Sequence, residues 1–369
     1  MKKHQSVCGD LIDSQRTTGG TTIMCCDGIG SGINARIAAK MATARLFELM
    51  KLGESVRQAF VSTAGAINRI RGGGFPYAAF CVAHILPDGH STVYGYDMPP
   101  PLLITSQRVT LLEPARHEAD DAEIAQTHFR MSPGDGLLLV SDGVTQSGMG
   151  CGISNGWGIE GALNFAQIHL NRNLDLQLLP QKLVQQAVTN WGNTSGDDCT
   201  AVLTRCRQGN ILSIMTGPPA DPRDDENEVL RFAAQLGKRA VCGATTGTVV
   251  ARVTKKKMKT EQYSKNFSTP PRAKIEGIDL VTEGTITLNQ VYNCLHEKFA
   301  QLDPDSPVSD LHQMIHNADR VNFFVGLAEN AGNTDIGFIQ NGILPRLKIV
   351  GLLASSLRAL GKLVVVEKI

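Results

Sequence analysis

The sequence predicts an α+β domain followed by a smaller α/β domain with a mostly parallel sheet, and three observations carry that reading. In the first half, short β-rich runs surround helical stretches that come in groups, unlike a repeating βα unit. Beyond Cys206, strand-like and helix-like segments alternate, as they do over a mostly parallel sheet. Between the two, TGPPADPRDDENE is rich in proline and acid, the composition of a linker. The expected organisation is a first domain over 1–207, a linker over 208–227 and a second domain over 228–369.

VCGDLID and TTIMCCDG are short and β-rich, and a Gly-Gly turn between them predicts a hairpin. Apolar residues then recur at helical spacing over Asn34–Lys51 and Glu54–Ile70, with Gly53 as the break. FPYAAFCVAHIL, STVYGYDM and PLLIT read as strands separated by PDG and PPP turns. GDGLLLVSDGV is a further strand, followed by helices near Glu160–Leu170 and Leu179–Asn190 and a strand in DDCTAVLTRC. In the second domain the expected order is helix 228–236, strand 238–242, helix 245–252, a basic insertion, strand IDLV, helix 288–300, helix, strand VNFFVG, helix and strand LVVVE.

Composition narrows the function. Hydrophobic residues at 42% and charged residues at 19% suit a globular protein with a buried core. A formal net charge of +1 and 5% aromatics argue against a nucleic-acid-binding surface. No run approaches the ~18 apolar residues of a membrane span, and the N-terminus lacks a signal-peptide core. Nine cysteines, scattered and odd in number, are expected as reduced thiols in a cytoplasm.

Chemistry concentrates in four segments: Gly9-Asp10, Asp27-Gly28, Asp142-Gly143 and Gly196-Asp197-Asp198. Apolar runs lead into Asp27 and Asp142, which predicts carboxylates at strand ends where distant parts of a chain meet in one cleft. Each Asp-Gly alone is turn chemistry. Together they form an oxygen-rich set suited to hard divalent ions, and two such ions can clamp a phosphoryl group for in-line attack. Glycine beside a ligand lets a backbone carbonyl approach the ion.

CGDLID, CCDGIGSGINARIAAKMA, GDGLLLVSDGV and SGDDCTAVL resemble, in that order, the PPM or protein phosphatase 2C superfamily. They are most similar to its bacterial branch typified by sporulation stage II protein E, over residues 5–206. The resemblance implies a sandwich of two antiparallel sheets flanked by helices, with two Mn²⁺ or Mg²⁺ ions between the sheets. It implies that Asp27 bridges both ions, that Gly28 supplies a carbonyl, and that Asp142 and Asp197 hold one ion. Asp10 would serve the other through water, with Asp198 behind the ligands. The implied reaction is one-step hydrolysis of phosphoserine or phosphothreonine by a metal-bridged hydroxide, without a phosphoenzyme. The implied partner is a phosphoprotein such as an anti-sigma-factor antagonist. In that branch the two helices after Asp27-Gly28 act as a switch; core packing is their plain alternative. YGYDMPPPLLI departs from the branch, which carries Ala-Gly-His where this chain has Tyr96-Asp97.

Other motifs are weaker. Cys199 and Arg205 have Cys-x5-Arg spacing, but AVLT between them is a buried strand and not an amide-lined phosphate loop. Cys25 and Cys26 are packing residues. The histidines form no zinc pair, and Gly72–Gly74 lacks the Lys-Ser/Thr of a phosphate loop. The basic run Arg252–Lys259 reads as a solvated loop. In VCGATTGT, Gly243, Thr245 and Thr246 open a helix after a strand, which suits either an anion or an ordinary threonine-capped turn. VGLAENAGNTD is a second such loop. Two rivals therefore stand beside the phosphatase: a pseudophosphatase binding module, and a sensor whose C-terminal domain takes a small-molecule or anion effector.

Overall fold

The computed structural model describes residues 7–30, 32–71, 73, 76–192, 196–261, 271–328 and 342–369. Two compact units emerge, Met1–Gln208 and Gly209–Ile369. The first opens with the predicted hairpin, β1 (Leu11–Thr17) against β2 (Gly20–Ile29), paired from Thr17–Gly20 to Leu11–Cys26. Two helices follow, α1 (Gly32–Lys51) and α2 (Val56–Ile70). Gly53 breaks them at φ +97°, and Ser55 with Gln58 forms a reciprocal capping box that starts α2. Next come β3 (Tyr77–Ile85), β4 (His90–Tyr96), β5 (Leu102–Ile104), β6 (Val109–Leu111), β7 (Ala115–Ala119), β8 (Ala122–Arg130) and β9 (Gly136–Val140). A short helix α3 (Asp142–Thr145), helices α4 (Gly158–Asn171) and α5 (Leu179–Trp191) and strand β10 (Ala201–Arg205) complete the unit. The β7–β8 hairpin was not expected. Its strands are mostly solvated and carry little apolar signal, and its turn is made by Asp120 and Asp121, both at positive φ.

These strands form two antiparallel sheets, β1-β2-β3-β4-β8-β7 and β10-β9-β5-β6. Alternation along β2 and β3 explains the layering. Met24, Cys26, Phe80 and Val82 face α1 and α2, joining Leu46, Phe60 and Ile67. Cys25, Cys81 and Ala83 face the other way and meet Leu137 and Leu139 of the second sheet. The far side of that sheet is covered by Ala162, Ala166 and Leu183 of α4 and α5. The architecture is thus the expected sandwich of antiparallel sheets flanked by helices.

The second unit contains β11 (Ile211–Thr216), α6 (Asp225–Ala233), β12 (Lys238–Cys242), α7 (Ala244–Thr254), β13 (Lys259–Glu261), β14 (Arg272–Ile275), β15 (Ile278–Thr282), α8 (Thr285–Asn293), α9 (Pro307–Asn317), β16 (Arg320–Val325), α10 (Arg346–Ala359) and β17 (Leu363–Lys368). Its seven-stranded sheet runs β13-β14-β15-β12-β11-β16-β17. β15, β12, β11, β16 and β17 are parallel; β13 and β14 add an antiparallel edge within the basic insertion.

The expected linker over 208–227 is corrected: β11 lies inside it and is paired on both sides. ILSIMT is a short apolar run buried almost throughout, masked in the sequence by the proline- and acid-rich stretch directly after it. That stretch is the turn into α6, whose first turn carries Asp225, Glu226 and Glu228, where the helix dipole favours acid.

Candidate active site

Strand register brings the candidate aspartates together in two pairs. Leu11 pairs with Cys26, so Asp10 and Asp27 are the next residues on adjacent strands of the six-stranded sheet. In the other sheet Ala201 pairs with Val140, and the Ser141 amide donates to the Thr200 carbonyl at 2.9 Å. That leaves Asp142 and Asp197–Cys199 beside one another just past the pairing. Stacking the sheets face to face then sets the pairs against each other, and the Asp27 carboxyl reaches Asp142.

Asp27 and Gly28 differ from expectation in one respect. They lie within β2, still paired with Ala79 and Ala78 of β3, and not at its end. β1 stops short of them, so only one edge of β2 is paired there. Asp142 opens α3 directly after β9.

Glycine makes the close approaches. A Cβ on Gly28 would sit 1.9 Å from the Ala35 carbonyl oxygen of α1, and one on Gly143 would sit 1.9 Å from the Asp198 carbonyl oxygen. Gly9 donates its amide to Asp198 Oδ2 at 2.6 Å, tying the chain before β1 to the chain before β10.

Electrostatically the site is a set of confined like charges. Asp10, Asp27 and Asp198 are each 6% exposed. Burial, the hydrogen bond shared with Asp142, and the charges of Asp10, Asp142 and Asp197 push Asp27 up to about 10. Asp10 is also raised, first by burial and then by the charge of Asp198. Burial opposes ionisation of Asp198 too, but the Gly9 amide holds it below the ordinary carboxylate value.

Both carboxylate oxygens of Asp10 and Oδ1 of Asp142 are buried without a hydrogen-bond partner. Buried, unsatisfied carboxylate oxygens are what a hard divalent cation would satisfy, so these residues fit the implied ions. Among the described residues, the group whose donor atoms all lie within 4.8 Å is Cys8, Asp10 and Asp198. Asp27, Asp142 and Asp197 do not close to that distance as a set, although the Asp27 carboxyl reaches Asp142. Asp198, expected behind the ligands, therefore stands among the closest donors.

Sequence reasoning missed several contributors. Gln146 Nε2 donates to Asp142 Oδ2 at 2.9 Å, an i,i+4 relation readable once α3 is known. Arg36 of α1 donates to the Asp10 carbonyl, and the Ser141 hydroxyl accepts the Thr200 amide at 2.9 Å. Cys8 carried no signal in the sequence.

The weaker motifs resolve simply. Cys199 donates to the Gly143 carbonyl at 3.2 Å, and burial pushes its thiol up to about 11, so it holds no thiolate at neutral pH. Thr246 is buried and its hydroxyl accepts the Gly217 amide at 2.9 Å, while Thr245 is exposed and Gly243 adopts φ +134°. Gly72, Gly74 and residues 329–335 of the second loop lie outside the described residues.

Residues 17–207 match the model of the Stage II sporulation protein E (SpoIIE) family. No curated protein sequence matches the chain. Similar solved structures include the RsbU and RsbW domains of a Mycobacterium tuberculosis protein, at 15% identity over 74% of this chain and 77% of that one, TM-score 0.47. The SiaA-PP2C domain of Pseudomonas aeruginosa is 19% identical over 54% of this chain and 81% of that one, TM-score 0.45. The PP2C phosphatase domain of SpoIIE from Bacillus subtilis, with a fragment of its regulatory domain, is 16% identical over 56% and 59%, TM-score 0.43. The family match spans more than half of the chain and contains three of the four aspartate segments, so the chain belongs to the SpoIIE family of PP2C-like serine/threonine protein phosphatases.

Proposed function

We propose that residues 1–207 hydrolyse phosphoserine or phosphothreonine on a signalling phosphoprotein with the help of two divalent ions, Mn²⁺ or Mg²⁺. The observation that carries this is the convergence of Asp10 and Asp27 from one sheet with Asp142 and Asp197 from the other, with buried carboxylate oxygens left unsatisfied. Asp27, Asp142, Asp197 and the Gly28 carbonyl would hold the ions, with Asp10 serving through water. Asp198 and Cys8 extend the donor set on the Asp10 side. Bound there, the ions would lower the pKa of a coordinated water and offset charge on the transferring phosphoryl group. Asp27 would hold the ions as a carboxylate, because neighbouring positive charge favours the ionised form. Gln146 fixes the Asp142 carboxylate, and Gly9 fixes Asp198. The packing of α1 on Gly28 gives the two helices after it a route to the site, consistent with a switch role.

The family resemblance favours a substrate of the anti-sigma-factor antagonist kind. Among the described residues no helix is long and apolar enough to cross a membrane, and no disulfide joins the cysteines, which fits the reducing cytoplasm we assign.

The test is hydrolysis of p-nitrophenyl phosphate and of a phosphoserine peptide with Mn²⁺. Asp27→Ala and Asp142→Ala should each abolish it, as should EDTA. Turnover that survives both substitutions would exclude this mechanism. A folded wild-type chain that binds a phosphopeptide but never turns it over would make the protein a pseudophosphatase.

A further inference from the structure

Cys8 has no part in the all-oxygen chemistry expected of the cleft, yet the fold holds its sulfur against two of the buried carboxylates. The donor atoms of Cys8, Asp10 and Asp198 all lie within 4.8 Å of one another. Cys8 is half-buried, open enough for an ion to enter, while Asp10 and Asp198 are each 6% exposed.

The backbone that carries the thiol is well fixed. The Gly9 amide donates to Asp198 Oδ2 at 2.6 Å, and Arg36 of α1 donates to the Asp10 carbonyl. A Cβ at position 9 would meet the Ala35 Cβ at 3.0 Å and the Gly28 carbonyl oxygen at 3.2 Å. Glycine there lets residues 8–10 lie close against α1 and β2, which places Cys8 and Asp10 on either side of the contact with Asp198.

An independent observation points to a cation. Both carboxylate oxygens of Asp10 are buried and accept no hydrogen bond. A buried carboxylate in that state is strongly disfavoured until a positive charge joins it.

The sulfur decides which cation. Mg²⁺ and Mn²⁺ are hard and take oxygen, whereas a thiolate favours Zn²⁺ and softer ions. One sulfur and two carboxylates are three protein ligands, the number zinc takes when water fills the fourth tetrahedral position. Ligand atoms around such an ion stand about 3.3–3.6 Å apart, so three atoms already within 4.8 Å need only a small inward movement. The other thiols of the region are engaged elsewhere. Cys199 Sγ donates to the Gly143 and Asp197 carbonyls at 3.2 and 3.5 Å, and Cys25 and Cys26 are fully buried in the sheet.

We propose that Cys8, as a thiolate, joins Asp10 and Asp198 as a direct ligand of the ion on the Asp10 side and makes that half of the cleft a Zn²⁺ site. Asp27, Asp142 and Asp197, with oxygen donors alone, keep the harder ion. The thiol proton passes to solvent as the sulfur–metal bond forms, and no electron is transferred. This assignment rests on the reading of the cleft as a metal centre and adds that its two halves select different ions.

The experiment titrates the metal-free full chain with Co²⁺, a spectroscopic stand-in for Zn²⁺. The wild type should develop the intense near-ultraviolet band of a thiolate–cobalt bond. Cys8→Ser should lack that band and Cys199→Ser should keep it. Cys8→Ser should weaken Zn²⁺ binding by about 100-fold or more, beyond the cost of losing an outer partner, and change Mn²⁺ affinity only a few fold. A second measurement needs no substitution: Zn²⁺ should shield Cys8 of the wild type from iodoacetamide, as read by peptide mass, and Mg²⁺ should not. The proposal is overturned if Co²⁺ binds the wild type without the band, if the band survives Cys8→Ser, or if Cys8 is alkylated equally with and without Zn²⁺. Mn²⁺-dependent turnover that Asp27→Ala abolishes would leave the phosphatase reading standing in each of those cases. Conversely, a cobalt band that vanishes only with Cys8→Ser, in a chain without turnover, would uphold the ligand and remove the phosphatase.

Discussion

Replacing Asp27 by Asn should stabilise the metal-free protein while destroying its phosphatase activity. Asp27 is 6% exposed, and burial together with Asp142, Asp10 and Asp197 raises it from an ordinary value of 3.8 to about 10. Between those values the folded chain keeps a proton that the unfolded chain has released. This contribution to stability is complete below the unfolded value and is lost as pH rises toward the folded one. The loss is about 1.4 kcal/mol per pH unit, or about 4 kcal/mol at pH 7 if this group alone titrates. Asparagine is isosteric and cannot ionise, so its advantage should be near zero at about pH 4 and grow steadily above it. Urea unfolding of both proteins in EDTA, across mildly acidic to mildly alkaline pH, measures that gap directly. Mn²⁺ should then stabilise the wild type and leave the variant largely unmoved, since cations displace the proton only where a carboxylate can form. An Asp27→Asn protein that is no more stable than wild type at pH 7, or a gap that does not change with pH, would refute the picture of a crowded, proton-holding carboxylate cluster.

Three other outcomes follow from the same geometry. Gly143→Ala puts a methyl group 1.9 Å from the Asp198 carbonyl and 3.4 Å from Asp197 Cβ, so it should displace those residues and cut kcat/KM sharply. Its stability cost should be about 1–3 kcal/mol, separable by a thermal melt. Phe60→Ala removes a fully buried ring that stacks on Phe80 and Tyr94 at 4.9 and 5.3 Å, and should cost about 3–5 kcal/mol in urea unfolding. Ser55→Ala breaks the capping box of α2 and should cost about 1 kcal/mol, with the α2 amides losing protection in hydrogen exchange.

Local chemistry in the sequence was enough to identify most of the building blocks. Periodicity marked α1 and α2 to within a turn, glycine and the capping residues marked their junction, and apolar runs marked β2, β3 and β9, because these signals depend on neighbours a few residues apart. The ordered aspartates announced metal-assisted phosphoryl chemistry for the same reason: each comes with its own strand and glycine. Other features had no local signature. The solvated β7–β8 hairpin and the buried β11 were missed, the first for lack of apolar contrast and the second because an acidic turn followed it.

Only the tertiary structure decided how the aspartates meet. Register sets Asp10 beside Asp27 and Asp142 beside Asp197, and sheet stacking sets the pairs against each other, which together with burial raises the pKa of Asp27. Cys8 and Asp198 join the group through the same long-range closure. Sequence fixes which groups can ionise or accept hydrogen bonds; burial and proximity, which exist only after folding, decide the state each group holds.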